Sequence, residues 1–205
     1  MDKQKNMKII ELILDEENED GGITAISLVE NPAIEENFIA LKSEKYELAE
    51  VDKEKRLLMG VALIPNKPIF RKGNPEDYYI FFSADTVRKA SERFFMNGNQ
   101  SESTLEHKKA IENLTIVESW IVEGEQDKSR MYGLNAPVGS WVVSMKVNNE
   151  DIWENYVKTG KVKGFSIEAM MADKMERPKD TGIDKDELEA QKFLDTVIDI
   201  IKEDV

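Results

Sequence analysis

The sequence predicts an α+β domain in which strands dominate, arranged as a barrel or a sandwich. Three observations lead there. Short apolar and β-branched runs recur along the chain, each closed by Gly, Pro, Asn or an acidic turn. Only two interior stretches carry the three-four spacing of a helix. An apolar share of 40%, with three Trp and eight Phe among 205 residues, supplies a core and excludes global disorder.

In order, residues 7–15 read as a strand followed by an acidic, glycine-rich turn ending at Gly22. Residues 23–29 form a second strand, stopped at Glu30-Asn31-Pro32 because proline cannot donate to a ladder and restricts the residue before it. Strands follow at 38–41 and 57–64, across a charged loop, and at the aromatic run 78–82. Ser83 is expected to cap a helix through about Phe95, with Val87, Ala90, Phe94 and Phe95 on its apolar side and Gly98 at its end. Thr104 to His107 reads as a strand end. Residues 114–123 alternate so that Leu114, Ile116, Glu118, Trp120 and Val122 share one face, which places a carboxylate among apolar neighbours. Another strand spans 139–147, and a short helix spans 151–158, capped at Asn149 or its neighbour and ended by Gly160. Residues 164–172 return as a strand with Ser166 and Glu168 on one face and Phe165 and Ile167 on the other. Residues 1–172 thus form the domain, 173–183 read as a charged linker, and 184–205 read as a C-terminal amphipathic helix with Ala190, Phe193, Leu194, Val197, Ile198 and Ile201 in one stripe. That helix either packs on the domain or docks a partner.

Composition narrows the chemistry. The net charge is −13, and the basic residues are scattered among acids, which argues against nucleic acid as a partner. With no cysteine and one histidine, disulfides, thiolate catalysis and the usual zinc sites are not expected, and no cofactor or metal is called for. The polar start of the chain lacks a signal core and no run approaches a membrane span, so a cytosolic protein without a membrane partner is expected.

Two isolated signals remain. His107 is the single histidine, and Ser166 follows a Gly-Phe turn at the start of an apolar run. A serine hydroxyl is a poor nucleophile at neutral pH and needs a neighbouring base. Only one imidazole is present to serve.

Several segments in order resemble the XkdF-type phage prohead proteases: Gly22 to Ala33, Leu57 to Asn66, Leu105-Glu106-His107, Glu118 to Val122, Gly139 to Val142, and Gly164-Phe165-Ser166-Ile167-Glu168. The resemblance covers roughly residues 7–172. It implies a relation to the capsid maturation proteases of tailed phages and herpesviruses, and with it a β-barrel flanked by helices. It implies a serine endopeptidase that cleaves scaffold and major capsid protein segments inside the assembling prohead, in the cytoplasm of the bacterial host or from a prophage. Ser166 then matches the nucleophile and His107 the general base.

A third group should orient His107. Herpesvirus relatives use a second histidine, which this chain lacks. Glu118 is the first choice and Glu168 the runner-up. In many phage relatives a segment like Ile26-Ser27-Leu28-Val29-Glu30-Asn31-Pro32-Ala33 follows the catalytic serine, whereas here it precedes both catalytic candidates. A circular permutation would explain the order and would add Glu30 as a third choice. Backbone N–H groups near Gly139 or Gly164 are candidates for an oxyanion hole. The loop 42–56 is a candidate self-processing site. The alternative function is a non-catalytic virion or scaffold-associated protein that keeps the fold, and a carboxylate-pair hydrolase is a distant third.

Overall fold

The computed structural model describes residues 8–15, 21–34, 39–41, 55–73 and 75–173. The strands are β1 (Lys8–Ile13), β2 (Gly22–Val29), β3 (Ile39–Leu41), β4 (Leu57–Leu63), β5 (Ile69–Arg71), β6 (Tyr78–Phe81), β7 (Ser103–Leu105), β8 (Lys109–Ala110), β9 (Leu114–Ile121), β10 (Trp141–Val147), β11 (Gly164–Met170) and β12 (Ala172–Asp173). The helices are α1 (Ala84–Met96), α2 (Lys128–Met131) and α3 (Glu150–Ile152), which loosens into a π turn over Trp153–Val157.

Among the described residues the strands form three four-stranded sheets, ordered β12-β1-β6-β5, β3-β4-β10-β9 and β11-β2-β7-β8. The α+β class is as expected. A closed barrel is not formed among these residues, because each sheet stops at edge strands instead of continuing its ladder around. The linker beyond Asp173, the helix expected over 184–205 and most of the loop 42–56 lie outside the described residues.

The core sits where α1 crosses β2 and β10. Val87, Ala90 and Phe94 are fully buried, and the Phe94 ring meets Trp141 edge-on at 5.5 Å. Phe95, expected on the same stripe, stays 38% exposed, while Thr86 and Ser91 take the flank of the buried side. Ser83 caps the helix through Thr86 N–H, and Gly98 at φ +74° leaves it in the left-handed conformation that favours glycine. β10 lies between β4 and β9 and is buried on both faces at Trp141, Val142, Val143, Met145 and Val147. Truncating any of these large side chains to alanine removes about 2–5 kcal/mol.

The elements without a sequence signal are β5, β8 and α2, each too short for periodicity to register. α2 owes its place to Asp127, whose carboxylate accepts from Ser129 N–H at 2.9 Å, the Ser129 hydroxyl at 2.5 Å and the Trp120 indole at 3.1 Å. Burial pushes the Asp127 carboxyl up, but the Ser129 hydroxyl and N–H, the Trp120 indole and the Lys128 charge outweigh it and hold it below its ordinary 3.8. A depressed carboxyl contributes stability above its unfolded value and loses it as pH falls through the lower folded value. Asp127→Asn is therefore expected to lower the melting temperature near neutral pH and to flatten its fall below about pH 4. Asp127→Ala is expected to cost about 1–3 kcal/mol in chemical denaturation, since the fully buried Ser129 hydroxyl also loses its partner.

Candidate active site

The sheet β11-β2-β7-β8 brings the two isolated signals together. β2 is its second strand, antiparallel to β11 and parallel to β7. In register, Ser166 lies opposite Ser27, and Ser27 lies opposite Thr104, so three hydroxyls form a row across three strands. Directly paired residues share a face. Glu168 pairs with Ala25 and therefore also lies on this face, while Phe165 and Ile167 pair with Leu28 and Ile26 on the other. Phe165, Ile26 and Leu28 are fully buried, which makes that opposite face the core side.

His107 does not extend a strand, as its alternating context predicts, but sits at the second corner of the tight turn between β7 and β8. Lys108 N–H donates to the Leu105 carbonyl at 3.0 Å, and both corner residues have positive φ, Glu106 at +52° and His107 at +56°. That is the pattern of a type I′ turn, which matches the twist of a hairpin but favours Gly, Asn or Asp at its corners. Two side chains larger than these cost roughly 1–2 kcal/mol each in the left-handed region. β2 holds the turn in place. Glu106 N–H donates to the Leu28 carbonyl at 3.0 Å, the Glu106 carboxylate accepts Glu30 N–H at 2.7 Å, and His107 N–H donates to Ser27 Oγ at 3.1 Å.

This turn folds His107 back over the polar face. Its Nδ1 lies 3.4 Å from Glu168 Oε1, with the imidazole 42% and the carboxylate 32% exposed. The same carboxylate oxygen accepts the Thr104 hydroxyl. Ser166 is 9% exposed and stands two residues before Glu168 on β11. Its hydroxyl makes no hydrogen bond to His107 or to any other described residue. The two candidates thus share a face but are separated by β2 instead of lying on adjacent strands.

Glu118 is placed elsewhere. It lies on β9 in the sheet β3-β4-β10-β9, where it accepts Ser144 Oγ at 2.6 Å and Lys128 Nζ at 3.0 Å. The expected alternation breaks at Val117, because Ile116 pairs with Met145 while Glu118 pairs with Ser144, leaving one extra residue on β9. Such a bulge reverses which face the following residues occupy. Leu114 and Ile116 therefore enter the core and Glu118 turns to the other side, where the Ser144 hydroxyl above all, with Lys128, holds its carboxyl below the usual 4.5 against the opposing effect of burial. The carboxylate beside His107 is Glu168.

Glu30 closes β2 near Lys163, at 3.9 Å, and gives its N–H to Glu106, so it acts on the turn and not on the imidazole. Beyond it, a cleft of about 590 Å³ runs between Glu30, Lys163, Arg71, Phe70 and Tyr79. The two glycines expected near an oxyanion hole differ in place. Gly139 N–H is taken by the Val122 carbonyl at 2.8 Å, whereas Gly164 lies opposite Val29 on β11, the edge strand of its sheet. Gly139 is required for its turn: its φ is +86°, and a Cβ there would come within 3.1 Å of Pro65.

Sequence reasoning missed Ser27 and Thr104. The one available signal was a hydroxyl at the centre of the apolar run Ile26-Ser27-Leu28, where a polar side chain has to find a buried partner.

A β-dominated α+β fold that gathers a serine, a histidine and a carboxylate on one sheet face has the parts of a serine hydrolase. Comparison with protein families agrees in class: residues 46–176 match the family described as Putative phage serine protease XkdF, and the chain belongs to that family. The match includes His107, Ser166 and Glu168 but begins after β2. No curated protein and no solved structure matches the chain. Among the described residues, no helix is long and apolar enough to cross a membrane.

Proposed function

We propose that the chain is a serine endopeptidase of phage prohead maturation, acting on scaffold and capsid protein segments, with Ser166 as nucleophile, His107 as general base and Glu168 as the group that orients His107. The observation that carries this reading is the meeting of His107 Nδ1 and Glu168 on the face that also bears Ser166, within a chain of a phage serine protease family. Glu168 holds the ring proton at Nδ1 and leaves Nε2 with its lone pair. When Ser166 Oγ attacks a peptide carbonyl, Nε2 takes the hydroxyl proton, and Glu168 stabilises the imidazolium that results. The same proton then passes to the leaving amine, and water completes hydrolysis of the acyl-enzyme. Ser166 and His107 are unbonded in the free chain, and this mechanism requires the imidazole to reach Ser166 across the small Ser27 side chain when substrate binds. The pairing of β2 with β11 supports a permuted order, in which a strand from the N-terminal side lies beside the strand of the nucleophile.

The unbonded pair also favours a second reading, a virion or scaffold-associated protein that keeps the fold without the activity. A serine-reactive fluorophosphonate separates the two without knowledge of the substrate. Covalent labelling located at Ser166 by mass spectrometry, and abolished in His107→Ala, is expected of the protease. Absence of any label on the folded chain, together with no cleavage of purified scaffold or capsid protein, would leave the structural reading.

A further inference from the structure

We infer that Ser27 and Thr104 are positioning residues that hold the His107 imidazole in one tautomer and one orientation, through a closed ring of polar contacts linking Ser27, Thr104, Glu168 and His107. The inference rests on His107 being the base of the proposed reaction and adds two residues to its machinery. Ser27 is fully buried in the middle of β2, flanked on its own face by Ala25 and Val29. A hydroxyl there is costly unless it is bonded. Besides its bond to the Thr104 carbonyl, its hydroxyl is joined to His107 from two sides. Ser27 Oγ accepts His107 N–H at 3.1 Å and lies 3.0 Å from Thr104 Oγ1, which meets Glu168, which in turn faces His107 Nδ1 at 3.4 Å.

Proton accounting gives the ring its direction. Each hydroxyl has one proton, and an ionised carboxylate only accepts. The Thr104 proton is drawn to Glu168, the stronger acceptor, from its alternative acceptor Ser27 Oγ at 3.0 Å, and the Ser27 proton goes to the Thr104 carbonyl at 3.3 Å. Glu168 accepts from Thr104 and His107 Nδ1–H together, which fixes the imidazole proton on Nδ1 and leaves Nε2 as the accepting atom. Removing the Thr104 hydroxyl frees a partly exposed carboxylate to turn to water. Removing the Ser27 hydroxyl releases the main chain of His107 from its φ of +56° and lets the ring swing.

Because the chain has one histidine, nitrogen NMR of the full-length protein reads this imidazole without ambiguity. With the ring neutral, the unsubstituted protein is expected to show the Nδ1-protonated tautomer. Thr104→Val and Ser27→Ala are expected to show a mixture of tautomers and a fall in kcat of about tenfold to a hundredfold with KM little changed, as for a base displaced by an ångström or less. Thr104→Ser should restore both. An unchanged single tautomer in Thr104→Val and in Ser27→Ala overturns the inference. If Ser27→Ala does not fold, the Thr104→Val and Thr104→Ser pair decides alone, at a position that is only half-buried. A tautomer change in a protein that cleaves nothing would keep the ring and sink the protease reading, while unchanged tautomers beside loss of cleavage in Ser166→Ala would do the reverse.

Discussion

Ser166→Ala is expected to abolish cleavage of a scaffold or capsid substrate, by a factor of roughly 10³ to 10⁶, with the fold unchanged. In the proposed mechanism the acyl intermediate forms on this hydroxyl. His107→Ala should be about as damaging, since nucleophile and base act as one unit and their losses do not add. Activity should also fall in acid, because a protonated imidazole has no lone pair to take the serine proton. Ser119→Ala is the control. It removes the acceptor of the Trp141 indole, at 2.8 Å, and so should cost about 1–3 kcal/mol of stability while cleavage at a permissive temperature persists. Gel-resolved cleavage by purified proteins measures all of these, and full activity in Ser166→Ala would refute the assignment of the nucleophile.

The second large effect concerns the carboxylate. Glu168→Gln is expected to lower kcat by about tenfold to ten-thousandfold, because an amide presents Nδ1 with a neutral partner that no longer favours the imidazolium and can stabilise the wrong tautomer. Glu118→Gln should leave kcat within about twofold and act on stability instead, through its bonds to Ser144 and Lys128. Circular dichroism separates folding losses from catalytic ones. A large kcat loss in Glu118→Gln beside an active Glu168→Gln would reverse the assignment of the orienting group.

The contrast between these two glutamates marks where sequence reading stops. Period-two alternation places Ser166 and Glu168 on one face of a strand, and the structure has them so, because β11 runs regularly up to Glu168 and its irregularity comes after. The same rule applied to β9 puts Glu118 with Leu114 and Ile116, and a single extra residue at Val117 reverses the outcome. Nothing in Ile116-Val117-Glu118-Ser119 announces that bulge, since its cause is the pairing with β10 and not a local preference. His107 shows the same limit from another side. Its alternating neighbours read as a strand end, yet two positive φ values at Glu106 and His107 form a turn that local propensity disfavours and that bonds from β2 sustain.

By itself, the sequence determined the inventory: one histidine and no cysteine, a serine after a Gly-Phe turn, a capped helix with its apolar stripe, and strands whose alternation sorted most side chains between core and surface. These are properties of composition and short-range geometry, which a few neighbouring residues specify. Only the tertiary structure decided which carboxylate meets His107 and what lies between His107 and Ser166. Those relations arise where β2, β7 and β11, distant in the chain, pair side by side, and strand register and bulges are set by long-range hydrogen bonding that no local window of sequence contains.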